Sequence, residues 1–343
     1  REQLEAVWSG QRPRQIPLTM YGFFAKGLEQ AGGAEELYAR GLGRTVHVPV
    51  HHTEQAVAEQ ERSITEDDQY EVRRHVIRTP VGEIDEVYHD RWRVKHWLTC
   101  AEDYRVMRHV VEQTVVEPSF ARWEEADRTL GRGGAALVFI GRTPIQQIIV
   151  DLAGLENFAM HLVDFEDEVH ALYDALLAQF RQIVEIAIDA PGRYVCCLEN
   201  FTAETLGPGR YEQYLLPVYE QLFPALRSAG KVVGVHYDGR LRSCIEPIAR
   251  APLDVIESFT EPPDGDMRIA EARAAWPDRI LWANPNVADY ELPPDQFRER
   301  IIGLVENGSD QGKRLALEIS EDVPRNWRES IPVVLDTLEQ LAR

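Results

Sequence analysis

A histidine and a carboxylate stand two residues apart in the segment VHYDG, where His236 and Asp238 flank Tyr237. Residues two apart in an extended chain point to the same side, so the two side chains can act together. Such a pair can hold a metal ion, form an acid/base pair or bind a polar substrate. A structural role stays open here: His236 would then donate to a buried carbonyl, and Asp238 would cap the following helix.

Polar side chains also end several other short apolar runs. Glu199 and Glu257 are candidates for handling a proton, and Arg142 and Asn284 are candidates for binding substrate. The full set of polar side chains at these ends is Arg142, Glu199, His236, Asp238, Glu257, Asn284, Glu318 and Glu321. The alternatives are a helix-capping role for Glu199 and a solvated acidic loop around Glu318 and Glu321.

The candidates near the start of the chain carry weaker signals. Tyr21 directly follows the apolar run IPLTM and is a candidate for the wall of a substrate pocket, although such aromatics also fill cores. The segment HVPVHHT (47–53) is rich in histidine. Because His51 and His52 are adjacent, they cannot share one face of a strand, so at most one of them is expected in a site.

The elements that must position these residues alternate between strand and helix. Six apolar runs lie at 135–140, 193–200, 231–239, 254–259, 279–286 and 313–320, with helical patterns between them. Two further candidate strands, 16–22 and 46–52, would complete eight. This order predicts a single (β/α)8 barrel over residues 1–343, with reacting groups at the carboxyl ends of its strands. The stretch 71–97 alternates and turns at Pro80-Val81-Gly82, which predicts a β-hairpin inserted after the second strand.

An open, doubly wound sheet is the structural alternative. Its nucleotide-binding form is disfavoured, because no G-x-G-x-x-G follows an early strand. The formal net charge of -20 argues against nucleic acid and against anionic membrane surfaces as partners. The first residues have no apolar core of a signal peptide, and no apolar run approaches a membrane span, so a cytoplasmic enzyme is expected. Four cysteines without a C-x-x-C indicate neither a disulfide framework nor a zinc ribbon.

Longer motifs resemble the uroporphyrinogen decarboxylase superfamily, which includes the decarboxylase itself and cobamide-dependent methyltransferases. The motifs that carry this resemblance are TPVGEIDEVYHD with KHWLTCAEDYRVM, ETLGPGRYEQYLLPVYEQLFPALRSAGKVVGVHYDG, DVIESFTEPPDGDM, WANPN and LEISEDVP. They span most of the chain. The decarboxylase's Arg-Gln-Ala-Gly-Arg loop is not reproduced, since Arg14-Gln15 leads directly into IPLTMYG. The chain therefore resembles the methyltransferase branch more than the decarboxylase.

The methyltransferases of this superfamily place zinc on a His-x-Cys pair and on a later Cys ahead of a Val-Pro or Ile-Pro. His236 matches the histidine, Asp238 stands at the first cysteine, and Glu321 stands at the last one. The resemblance thus implies His236, Asp238 and Glu321 as ligands of a divalent metal, zinc in the first instance, with carboxylates replacing both thiolates.

The resemblance further implies transfer of a methyl group between a small methylated compound and a corrinoid on a partner protein. His236, Glu199 and Glu257 would be catalytic, and Tyr21, Arg142 and Asn284 would bind substrate. A homodimer also fits this reading. Two alternatives stay open: a metal-free decarboxylase of a tetrapyrrole or other polycarboxylate, with Arg142, Arg240 and Arg242 as its cations, and a non-catalytic binding protein on the same barrel.

Overall fold

The computed structural model describes residues 1–55, 59–66, 71–319 and 322–342 of the chain. They form two compact units. The first comprises Arg1–Val50, Phe120–Gly141 and Ala187–Arg343, and the second comprises His51–Ser119 and Arg142–Ile186.

The described residues contain strands β1 (Leu18–Tyr21), β2 (Leu42–Pro49), β3 (His51–Gln55), β4 (Glu59–Glu66), β5 (Glu71–Thr79), β6 (Gly82–His89), β7 (Trp92–Lys95), β8 (Thr114–Pro118), β9 (Gly134–Phe139), β10 (Tyr194–Cys197), β11 (Val232–His236), β12 (Val255–Thr260), β13 (Ile280–Asn284) and β14 (Leu315–Ile319). They also contain helices α1 (Glu2–Trp8), α2 (Gly22–Ala31), α3 (Ala34–Ala39), α4 (Ala101–Glu112), α5 (Ala121–Leu130), α6 (Pro144–Gln146), α7 (Leu155–Asp164), α8 (Glu166–Asp189), α9 (Ala203–Arg210), α10 (Leu216–Ser228), α11 (Ile245–Arg250), α12 (Ile269–Ala275), α13 (Pro294–Gly308) and α14 (Trp327–Leu341).

Eight parallel strands of the first unit close into a barrel in the order β1-β14-β13-β12-β11-β10-β9-β2. The predicted (β/α)8 barrel is therefore confirmed, and all six apolar runs from 135 to 320 supply a strand. The open sheet is excluded by the pairing of β1 with both β2 and β14. These strands are short and almost fully buried, as expected of a parallel sheet covered by helices.

An apolar plug fills the amino-terminal end of the lumen. Trp8 of α1 packs against Tyr194 with ring centroids 5.1 Å apart and against Trp282 at 6.2 Å. Room for the Tyr194 ring comes from Gly234, where a Cβ atom would lie 1.9 Å from the Tyr194 hydroxyl. Because side chains alternate along a strand, the residues two positions further along each strand enter the lumen at the other end.

The second unit contains two antiparallel sheets. The strands β4-β5-β6-β7 form one sheet, and β3 pairs with β8 in the other. The stretch 71–97 supplies β5, β6 and β7, with the β5–β6 turn at Pro80-Val81. The histidines His51 and His52 lie in β3, because the second barrel strand ends at Pro49 and the chain then pairs with β8. Among the described residues, no helix is long and apolar enough to cross a membrane.

Candidate active site at the carboxyl ends of the strands

Three buried side chains from three barrel strands form a hydrogen-bonded chain. The Tyr21 hydroxyl lies 2.8 Å from Nδ1 of His236 and donates to Oε1 of Glu257 at 3.1 Å. Since its one proton goes to the carboxylate, the hydroxyl accepts from a protonated Nδ1 of His236. The network therefore assigns the neutral imidazole a proton on Nδ1, which makes Nε2 the nitrogen that can accept a proton or bind a cation.

The strand β12 carries an irregularity beside this chain. Its register with β13 shifts between Glu257 and Phe259, and the intervening Ser258 has a positive φ of 63°. A left-handed residue of this kind is costly outside glycine and persists where neighbouring contacts hold it. Asn284 supplies such a contact by donating from Nδ2 to Oγ of Ser258 at 2.7 Å. Asn284, predicted to bind substrate, thus supports the bulge that follows Glu257.

Glu257 is completely buried and lies among groups that stabilise its charge. Burial alone would raise the pKa of this carboxyl, but His47, His236 and the Cys196 thiol lower it well below its usual range. Sγ of Cys196 donates to Oε2 at 3.1 Å, and Nε2 of His47 lies 3.6 Å from Oε1. Burial and the charge of Glu257 raise the pKa of Tyr21 well above its ordinary value. Tyr21 therefore remains a hydrogen-bond donor at neutral pH.

Asp238 lies on the other side of His236. Its Oδ2 is 3.5 Å from Nε2 of His236 and accepts a hydrogen bond from Asn200 at 2.8 Å. Burial would raise the pKa of Asp238, but its contacts with His236 and Asn200 lower it. These two predicted ligands are thus adjacent, as their spacing predicts. The third predicted ligand, Glu321, lies outside the described residues.

Glu199 is fully buried in a cluster of tyrosines. It accepts hydrogen bonds from the Tyr219 hydroxyl at 2.7 Å and from Sγ of Cys197 at 3.3 Å. The hydroxyls continue from Tyr219 to Tyr237 at 3.1 Å and from Tyr237 to Tyr211 at 3.0 Å. Its predicted role in handling a proton would therefore run through tyrosine hydroxyls.

The two remaining strand-end candidates have separate surroundings. Arg142 belongs to the second unit, where its Nη1 donates to both carboxylate oxygens of Asp151 at 3.2 Å. Glu318 is buried in the barrel and accepts hydrogen bonds from Thr45 at 2.7 Å and Thr19 at 3.0 Å. Glu318 therefore belongs to strand β14 and faces buried groups, so it does not lie in a solvated loop.

His47 and Cys196 were not predicted as site residues. Both lie within reach of Glu257, and the ligand atoms of the three side chains are within 4.8 Å of one another. The signal was alternation: His47 is two residues after the buried Thr45, and Cys196 is two residues after the buried Tyr194. Cys196 and Cys197 are adjacent in the sequence and therefore face opposite sides of the strand. The sequence does not show which of the two faces the lumen.

The comparisons with known proteins found a family model and solved structures that are similar to this chain. The uroporphyrinogen decarboxylase family model matches residues 148–314. A methyltransferase from Methanosarcina mazei is similar in structure, with a TM-score of 0.60 and 10% sequence identity, over 99% of this chain and 98% of that one. A xylose isomerase domain protein from Planctomyces limnophilus has a TM-score of 0.40 and 12% identity, with 95% of both chains covered.

No curated protein matches the sequence. The family match confirms the resemblance to the uroporphyrinogen decarboxylase superfamily, and it supports an enzyme. At 10% identity, the likeness to the methyltransferase establishes a common fold.

Proposed function

We propose that this protein is a metal-assisted methyltransferase. It moves a methyl group between a small methylated compound and a corrinoid that a partner protein carries. The observation that carries this proposal is the buried chain from Glu257 through Tyr21 to His236, which presents Nε2 of His236 toward Asp238. The proposal places the enzyme in the cytoplasm.

The residues present fit a divalent ion next to His236. A histidine that binds a metal usually donates a hydrogen bond from its other ring N–H to an oxygen, and this fixes the tautomer. The Tyr21 hydroxyl is that oxygen acceptor here. The 3.5 Å between His236 Nε2 and Asp238 Oδ2 matches two ligands of one ion about 2.0–2.2 Å away. The resemblance assigns Glu321 as the third ligand. When bound, the ion supplies Lewis acidity to the heteroatom that gains or loses the methyl group.

The protein's own groups hold the tautomer and the protons. The ionised Glu257 accepts the hydrogen bond that the Tyr21 hydroxyl donates, so the same hydroxyl accepts from Nδ1 of His236 and orients the ring. Glu257, or Glu199 through Tyr219, would take up a proton from a substrate nucleophile. Ring contacts around the same tyrosine, with His47 at 4.8 Å, limit its freedom to turn.

The decarboxylase alternative is less well supported. It needs cations at the lumen for the substrate's carboxylates. The three arginines suggested for that role each have an acidic partner: Arg142 has Asp151, Arg240 has Glu204, and Arg242 has Glu271. The barrel strands instead bring carboxylates to the site.

The test uses methylcobalamin as the corrinoid probe, incubated without oxygen with the full chain and a panel of small thiols, amines and phenols. We expect loss of the methylcobalamin absorption with at least one acceptor. Because His236 is a proposed ligand of the ion, His236→Ala should abolish this demethylation. His52→Ala, which removes a half-exposed histidine of β3, should leave the rate unchanged. Release of CO2 from a porphyrinogen polycarboxylate, with no demethylation of the probe, would overturn the proposal.

A further inference from the structure

Three ligand atoms of different chemistry converge inside the barrel from strands that are distant in sequence. They are Nε2 of His47 from β2, Sγ of Cys196 from β10 and a carboxylate oxygen of Glu257 from β12. Cys196 pairs in register with Gly234, two residues before His236 on β11. Cys196 therefore lies closer than His236 to the amino-terminal end of the lumen.

Cys196 already donates to Glu257 at 3.1 Å, but the imidazole of His47 is not satisfied by a hydrogen bond in this cluster. His47 Nε2 lies 3.6 Å from Glu257 Oε1, which exceeds a hydrogen bond. This buried nitrogen has no hydrogen-bond partner in the described structure, and neither has the hydroxyl of Tyr194. Two ligands of one tetrahedral zinc lie about 3.3–3.6 Å apart, given metal–ligand distances of about 2.0–2.3 Å.

The donor set selects a class of metal. Imidazole, thiolate and carboxylate together suit zinc and related divalent transition metals, whereas magnesium and calcium require oxygen ligands. Three protein ligands leave one position open, which is typical of catalytic zinc and not of structural zinc.

Neighbouring side chains already orient the ligands. Tyr21 donates to Oε1 of Glu257 at 3.1 Å, and its ring meets the His47 ring edge-on at 4.8 Å. The Phe139 ring also packs edge-on against the His47 ring, with ring centroids 6.0 Å apart. Such supporting contacts hold first ligands in place at metal sites.

We propose that His47, Cys196 and Glu257 form a thiolate-containing site for a divalent transition metal of the zinc class. This site is separate from the His236–Asp238 pair. It deepens the proposed function by naming a metal position in the same lumen, but metal binding here does not depend on methyl transfer being the reaction.

The test is Co(II) substitution. The full chain is purified without chelator for elemental analysis, then stripped and titrated with Co(II). We expect a sulfur-to-cobalt charge-transfer band in the near ultraviolet. Cys196→Ala and Cys196→Ser should abolish the band, and His47→Ala should weaken Co(II) binding by roughly tenfold or more. The serine variant preserves side-chain volume in case the alanine variant fails to fold.

The matched control is Cys197→Ala, because the neighbouring thiol contacts Glu199 instead of the cluster. It should retain the band, as should Cys100→Ala at the exposed cysteine and Asp238→Asn. A saturated Co(II) protein without the band, or a band that survives Cys196→Ser, would overturn the proposal. A band in a protein that fails to demethylate methylcobalamin would uphold this site and reject the proposed function, and the converse result would do the opposite.

Discussion

In the barrel, the carboxylates of Glu257 and Glu318 are fully buried and contact hydroxyl, imidazole and thiol groups. In the four-stranded sheet of the second unit, Glu61 and Glu83 are half-exposed and contact the guanidinium of Arg78 at 2.6 and 2.7 Å. Both regions alternate side chains along their strands, but they differ in what surrounds the charge.

This difference in the surroundings of the carboxylates indicates which region serves function and which serves solvated structure. Exposed ion pairs contribute little, since water screens them and long side chains lose entropy. A buried carboxylate without a dedicated cation costs free energy, so its presence needs a reason, and strongly perturbed titratable groups are typical of functional sites. Chemistry is therefore expected in the barrel lumen. Solvated structure is expected in the four-stranded sheet β4-β5-β6-β7, called the insert sheet below.

The largest effect on stability should come from the lumen's apolar plug. Trp282 is fully buried against Trp8 and Tyr194, so Trp282→Ala should lower the free energy of unfolding by about 3–5 kcal/mol. Trp92 is 66% exposed in the insert sheet, and Trp92→Ala should cost far less. Urea unfolding measures both. Equal losses would mean that the two regions do not differ in packing as described.

A smaller effect should come from the buried carboxylate of Glu318. Thr45→Val removes the hydroxyl that donates to it at 2.7 Å and should lower the free energy of unfolding by about 1–3 kcal/mol. Thr337→Val is the matched control, because that buried hydroxyl donates only to the Val333 carbonyl of its own helix. If the control costs as much as Thr45→Val, the buried charge does not depend on its hydroxyl donors.

The smallest effect should come from Asp85 in the insert sheet. Burial would raise its pKa, but hydrogen bonds from Arg74 and Lys95 lower it below the ordinary value. A depressed folded pKa gives stability that is present above the unfolded pKa of about 3.9 and is lost as the pH falls through the folded pKa. Asp85→Asn should therefore cost about 0.5–1 kcal/mol at pH 7 and almost nothing at pH 2. A loss that is equal at both pH values would contradict the ion-pair account.

The fold could be predicted from local sequence patterns. Short apolar runs indicate buried strands, and apolar residues at three- and four-residue spacing indicate the helices between them. The same reasoning placed His236, Glu257 and Asn284 at strand ends, where the barrel puts its reacting groups. It also put His236 and Asp238 on one side, since alternation depends on the backbone alone. Local pattern could not predict the bulge at Ser258, because the bulge is a shift in the register between β12 and β13.

The sequence by itself determined which side of each strand a residue faces. It did not determine which residues of different strands share a height in the lumen. Closure of the barrel decided that, because the stagger between paired strands fixes which side chains meet. Closure brought His47 and Cys196 to Glu257 across 210 positions of chain. Arg142 follows a barrel strand in sequence, yet its ion pair with Asp151 lies in the second unit, which only the folded chain reveals.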